Sequence, residues 1–442
     1  MFGTSTATVS TVSHDLHRLR RAPLNTFFSK RNVVKMEQSV GKQVKKVVQR
    51  LERMRGKIVN LRDLYACFSA DVIGDVAFGA GYGLLDKEDF APGWWRLMMD
   101  LSRATHLMKQ FPWLYTLFTT LPERLVALVH PLTKQLFDIR NGLSTQIDVF
   151  RSTLCHSSQD VPKKDVPKKD VPKKDVEIFP HPTILHHLFS ANTPLPPTEL
   201  TTPRLTDESF TLLGAGTITT SHTLTTALYH ILSDPTIESY LRTELVQLSP
   251  MPTWTELKRL PYLSAVIAEA LRLSFGVSHR LARVSPDEPL YYPPPSEKGE
   301  PDTIRPQWVI PPGTPVSMTQ MFIHLDPAIF PSPGTFDPSR WLEESPSPAL
   351  TSSDDDESQS KRQRRIQYMH QHLIPFSRGS RMCAGMHLAY VELYLMLGAL
   401  FSPGREWRLK LWETDKEDVE TVRDFFNPDS GSNSKGVRVL VV

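Results

Sequence analysis

Cysteine is scarce in this chain, and that scarcity excludes more than any other count. Three occur in 442 residues, Cys67, Cys155 and Cys383, far apart from one another. A disulfide framework is excluded, and a reducing compartment is implied. Excess charge is also missing: 51 Lys and Arg face 48 Asp and Glu, a formal net charge of +3. Nothing in that balance points to nucleic acid or another polyanionic partner. The stretch from Met1 to His14 is rich in Ser and Thr and has neither a signal h-region nor a membrane anchor. One uncharged run, Ser209 to Ser233, is long enough to cross a bilayer. Its threonines, with Gly214, Gly216, His222 and His230, make it too polar for that, so it reads as a helix buried in protein. The glycine-rich dinucleotide fingerprint GxGxxG is absent as well.

What is present follows a clear order. Residues 14–58 are basic with helical periodicity, and a helical region containing Gly and Asp continues to about Leu85. Trp94 to Leu128 is rich in aromatics, leucine and methionine, punctuated by Pro112 and Pro122. Residues 160–175 repeat Asp-Val-Pro-Lys-Lys three times, a composition that cannot bury a core and reads as a solvated linker or loop. Ser345 to Arg365 runs from Ser and Pro through an acidic block to a basic one and reads as a second exposed insertion. Strands are expected near Leu290–Tyr292, Trp308–Ile310, Pro315–Met318 and Val437–Val442. The fold class is mostly α with small β-sheets. Cys67 reads as a core thiol and Cys155 as a loop thiol.

The densest chemistry lies in Phe376-Ser377-Arg378-Gly379-Ser380-Arg381-Met382-Cys383-Ala384-Gly385, followed by an apolar run from Met386 to Phe401. A cysteine just before a helix N-terminus and near arginine is biased toward thiolate, the form that ligates metal. Gly379 suits a bend with positive φ, and Gly385 permits close approach of a neighbour. A zinc site of Cys383 with His370, His372 and His387 lacks the usual paired spacing. A nucleophilic cysteine with a distant histidine is a further alternative. Upstream, Glu269 and Arg272 stand three apart on a helix, a weak signal alone. In Leu213-Gly214-Ala215-Gly216-Thr217-Ile218-Thr219-Thr220, a hydroxyl at Thr219 can bond back to the carbonyl one turn earlier.

These motifs, taken in order, resemble the cytochrome P450 family, and FxxGxRxCxG resembles its haem-binding loop. The resemblance implies a P450 fold and haem b, iron protoporphyrin IX, with the Cys383 thiolate as axial ligand. It places Phe376 as a shield for the sulfur and Arg381, His17, Arg21 and Arg283 as haem-propionate donors. Gly379 and Gly385 shape the loop. Glu269, Arg272 and Arg340 of Phe336-Asp337-Pro338-Ser339-Arg340-Trp341 form a structural triad. Ala215 and Gly216 leave room for dioxygen, and Thr219 assists proton delivery. The family usually has an acid where this chain has Ile218, so the relay here rests on Thr219, Thr220, water or substrate hydroxyls.

By that resemblance the chain is one haem-thiolate domain over 1–442, with insertions at about 156–178 and 345–365. It opens near the family's third helix, so the anchor, the first helices and the first strands are expected to be lacking. The expected activity is monooxygenation of a lipophilic small molecule, terpenoid-like, in fungal secondary metabolism, with the trichodiene-oxygenase-like group nearest. Electrons are expected from NADPH through a separate NADPH–cytochrome P450 reductase, at the cytosolic face of the endoplasmic reticulum. The rivals are a haem-thiolate isomerase, suggested by Ile218, and a truncated, catalytically silent product.

Overall fold

A computed structural model describes residues 4–111, 113–114, 120–121, 131–157, 182–190, 195–249, 251–292, 308–343 and 356–442. The long helices, numbered in chain order, are α1 His14–Phe27, α2 Lys30–Arg53, α3 Leu61–Phe78, α4 Pro92–Gln110 and α5 Pro131–Ser157. They continue with α6 Thr202–Ser233, α7 Pro235–Leu245, α8 Pro261–Ser274, α9 Asp356–His372 and α10 Met386–Phe401. The fold is mostly helical, as the periodicity predicts.

Sequence accounts for these elements locally. Ser13 caps α1 by accepting from the Leu16 N–H, and Asn60 caps α3 by accepting from the Arg62 N–H. Helix α3 ends at Gly79, whose φ of 81° is the left-handed stop that glycine adopts without strain. On α2, Val33, Val40, Val44, Val47 and Leu51 recur at helical spacing and are buried, leaving the lysines outside. Helices α3, α6 and α10 carry apolar or small residues on most faces and form the centre: α3 packs along α6, and α10 packs on α2. The uncharged run Ser209–Ser233 lies inside α6 as the buried helix expected, and no described helix is long and apolar enough to cross a membrane.

The sheets are small and antiparallel. Strands β1 (Ile58–Asn60), β9 (Arg438–Val441) and β6 (Leu409–Leu411) form one sheet, with Ile58 opposite Leu440 and Leu409 opposite Val441. Val59, Val439 and Val441 face the core. Three two-stranded ribbons follow: β2 (Arg283–Val284) with β5 (Pro315–Val316), β3 (Leu290–Tyr292) with β4 (Trp308–Ile310), and β7 (Arg423–Phe425) with β8 (Asn427–Asp429).

Two expectations are corrected. The second insertion is not loop throughout, because Asp356–His372 is helical and Ile366 and Met369 pack on Ala265, Phe330 and Trp341. Its remainder, 344–355, and the Asp-Val-Pro-Lys-Lys repeat lie outside the described residues. Cys155 falls within α5 rather than in a loop. Cys67 is buried, as expected of a core thiol, and its Sγ–H donates to the Phe90 carbonyl.

Candidate haem-binding site

The cysteine loop is built on its own backbone. Gly379 adopts φ 77°, the Cys383 N–H donates to the Phe376 carbonyl at 2.9 Å, and α10 begins after Gly385. Phe376 is half-buried and its ring lies 5.3 Å from that of Tyr390. Nothing lies within 4 Å of where a Cβ on Gly385 would stand, so that side of the loop is open. Cys383 is exposed as a residue, while protein is dense around its thiol.

The electrostatics differ from the sequence expectation of a simple thiolate bias. Burial pushes the Cys383 thiol up, while the Gly385 and Met386 amides and the Arg21 guanidinium pull it down without prevailing. Desolvation wins because one helix N-terminus offers only partial charge. A thiolate here is stabilised fully only when a cation sits on its open side.

Arg21 stands beside Cys383, and Arg381, Arg283 and His17 cluster with Arg21. Arg21 donates to the Met382 carbonyl at 2.8 Å and to Asn25, and Arg381 donates to the carbonyls of Thr11 and Val12. Arg283 reaches only the carbonyls of Leu281 and Ala282. His17 is buried beside them, and its pKa is lowered to about 4 by desolvation and then by Arg381 and Arg21. None of the three guanidiniums forms an ion pair with a carboxylate among the described residues. Guanidiniums without a bonded carboxylate, close to the cysteine loop, suit a flat ligand bearing two carboxylates.

Helix α6 carries the small residues and the threonines named from the sequence. Ala215 is exposed, and the Thr219 Oγ–H donates to the Ala215 carbonyl at 2.8 Å, the back-bond expected from the sequence. Gly216 departs from its expected role. A Cβ there would meet Ile73 at 3.2 Å, so its smallness serves the α3–α6 contact rather than the open side. Ile218 is buried against Leu97, Met98 and Met99 of α4, an apolar setting where a carboxylate would be costly. One turn further, His222, Arg62 and Asp429 line a cavity of about 30 Å³, and His222 Nε2, Arg62 Nε and Asp429 Oδ2 have no hydrogen-bond partner among the described residues. That volume suits one bridging water. Sequence reading missed this pocket, because its members come from three distant segments.

Behind the loop, Glu269 accepts from Arg272 at 2.7 and 2.9 Å, from Arg340 at 2.9 Å and from the Trp341 indole at 2.9 Å. Arg272 also donates to the carbonyls of His324, Pro333 and Thr335. Glu269 and Arg272 are completely buried. Every charge in this cluster has an opposite charge and hydrogen bonds, which is what lets it stay inside. The histidines of the imagined zinc site do not join Cys383: His370 packs on Trp341 and His372 bonds to the Tyr368 carbonyl.

A cysteine loop leading into a helix, a threonine-bearing central helix and a buried Glu–Arg–Arg cluster are the features expected of a haem-thiolate protein. The chain belongs to the cytochrome P450 family, whose model matches residues 2–430. It is 36% identical over 447 residues to tryptophan 6-hydroxylase fscE of Fusarium equiseti, covering 100% of this chain and 77% of that one. It is equally 36% identical to N-acetyltryptophan 6-hydroxylase ivoC of Emericella nidulans, over 100% of this chain and 77% of that one. Cytochrome P450 monooxygenase sdnE of Sordaria araneosa is 36% identical over 100% of this chain and 78% of its own. The chain is an oxidoreductase of the P450 monooxygenase class.

Proposed function

We propose that Cys383 holds haem b as its axial thiolate ligand and that the protein inserts one oxygen atom from O2 into a lipophilic small molecule of secondary metabolism. The observation that carries this reading is the exposed Cys383 with Arg21 beside it, in a basic group of Arg21, Arg283, Arg381 and His17 whose guanidiniums form no ion pair among the described residues. Haem, when bound, supplies the activation of O2, with electrons from NADPH through a separate reductase. Arg21, Arg283, Arg381 and His17 would receive its propionates, and Gly385 leaves the space its edge needs. Phe376 and Tyr390 keep water from one side of the sulfur. Thr219 holds a proton on Oγ at the open face of α6, and Ala215 adds no bulk beside it. Ile218 offers no proton, so resupply to Thr219 comes from Thr220, water or a substrate hydroxyl.

The substrate expected from sequence resemblance is terpenoid-like, whereas two of the relatives are named for tryptophan and N-acetyltryptophan. An indole amino acid derivative is therefore a second candidate substrate class, and N-acetyl-L-tryptophan is a practical probe. The deciding experiment is the absorption spectrum of the reduced, CO-treated protein beside Cys383→Ala. A thiolate-type Soret band in the parent that is lost in the variant is expected. Haem uptake with an identical band in both would remove Cys383 as ligand.

A further inference from the structure

The end of α4, the segment after α8 and the tip of the β7–β8 hairpin meet in a polar cluster that the haem site does not use. Asp424 anchors it: Oδ1 accepts from the Ser278 hydroxyl and the Phe426 N–H at 2.9 Å, and Oδ2 accepts from His279 Nδ1 at 3.0 Å. That fixes the His279 tautomer, with Nδ1 protonated and Nε2 left as an acceptor. Lys109 Nζ donates to this Nε2 at 2.7 Å. His106 Nε2 lies 2.9 Å from the Asp424 carbonyl, and its ring stands 4.9 Å from that of His279.

His106, His279 and Asp424 could pass for a metal site, since their donor atoms lie within 4.8 Å of one another. Lys109 argues against a cation. Its ammonium already occupies the Nε2 lone pair a metal would need, and it would repel an ion placed there. Lys109 has no ion pair, and two of its three N–H bonds have no partner among the described residues. Desolvation lowers its pKa, Asp424 opposes that, and exposed Arg280 adds a further positive charge nearby. A fixed, partly desolvated ammonium with two unused donors is a receptor for an anion.

Chain continuity ties the cluster to elements of the haem site. The segment that carries His279 starts at Gly276, where an added Cβ would meet the Pro375 carbonyl of the cysteine loop at 3.2 Å. It ends at Arg283, which clusters with His17 and Arg381. On α4, Met99 packs on Ile218 beside Thr219, and His106 follows two turns later on the same face. Phe425 and Phe426 flank the histidines, with ring centroids 6.4 and 6.0 Å away.

We propose that Lys109, positioned by His279 and Asp424, binds a carboxylate on the substrate, whose apolar body lies toward Phe425, Phe426 and α6. One ammonium beside a neutral imidazole suits a monoanion better than a phosphate dianion. This inference rests on the monooxygenase reading and narrows its substrate to lipophilic carboxylic acids.

The test is equilibrium dialysis of the haem-loaded protein against matched pairs of acid and carboxamide: N-acetyl-L-tryptophan, indole-3-acetic acid and dodecanoic acid. At least one acid is expected to bind ten or more times tighter than its amide. Lys109→Met should reduce that preference to within twofold while leaving amide affinity unchanged, and Lys109→Arg should keep most of it. His279→Phe should weaken acid binding alone, as expected of a positioning residue. Equal affinity for acid and amide, a preference that survives Lys109→Met, or no acid bound by protein with a normal CO spectrum each overturns the proposal. The last outcome leaves the haem-thiolate reading standing, whereas an abnormal CO spectrum strikes that reading itself.

Discussion

His324 illustrates how one buried side chain couples the scaffold to the haem loop. It is fully buried, with Nδ1 donating to the Arg272 carbonyl at 3.0 Å and Nε2 accepting from the Ile374 N–H at 3.0 Å. Arg272 belongs to the Glu269 cluster and Ile374 leads into the cysteine loop, so a neutral imidazole joins the two. Burial lowers its pKa from 6.5 to about 4. Between those values the unfolded chain binds the proton and the folded chain does not, so stability rises with pH through that window. His324 should therefore contribute roughly 3 kcal/mol at neutral pH that disappears as pH falls from 6.5 toward 4. Urea titrations at pH 7.5 and 4.5 check this: His324→Gln should be less stable at pH 7.5 and lose less on acidification. An unchanged pH dependence would contradict it. In the sequence Glu269 and Arg272 are only a weak i,i+3 pair, and Arg340 joins them through the resemblance of Phe336–Trp341 to a P450 motif. Sequence reading could not find His324 or Trp341 as their partners, because only the folded chain brings them to the same carboxylate and arginine.

At the scale of the element, α6 carries both contact and chemistry on different faces. Thr219 and Ala215 look to the open side, Ile218 to α4, and Gly216 to Ile73 on α3. Gly216→Val should cost about 1–3 kcal/mol, because added atoms force α3 and α6 apart in a close-packed centre. Gly214→Ala meets nothing within 4 Å and should gain up to about 1 kcal/mol from helix propensity. Chemical denaturation of the two variants distinguishes them by sign; equal effects would mean that the interhelix contact does not govern Gly216. Helix α6 was legible in the sequence as a buried helix because polar hydroxyls replaced charges along it. Which face each glycine took was not legible, since that depends on the azimuth at which α3 crosses. The short strands β1, β2, β6, β7 and β8 went unseen for a related reason. Two- and three-residue strands carry too few residues to display a period of two, and for all but the β7–β8 hairpin the pairing partners lie far away in sequence.

For the whole molecule, the question is what holds residues 4–12 in place, since Arg381 of the haem loop donates to the Thr11 and Val12 carbonyls. The answer is a buried ionic lattice between distant elements. Arg20 of α1 grips Glu199 through two bonds of 2.6 and 3.0 Å and donates to the Thr11 hydroxyl at 2.7 Å. Thr6 and Thr8 donate to Asp207 and Glu208 at the start of α6, and Arg204 bridges Glu199 and Glu208. Arg140 of α5 completes it on Asp207 at 2.6 Å. Removing one member leaves charge without balance in low dielectric, so Arg20→Met should cost about 3–5 kcal/mol. The exposed pair Lys46–Asp86 is the control, and Lys46→Met should stay within about 1 kcal/mol. Because Thr11 links the lattice to Arg381, Arg20→Met should also lower the haem retained per chain after gel filtration. Loss of stability with full haem retention would separate the lattice from the haem loop, whereas loss of both would make residues 4–12 the strap by which α1, α6 and the cysteine loop act together.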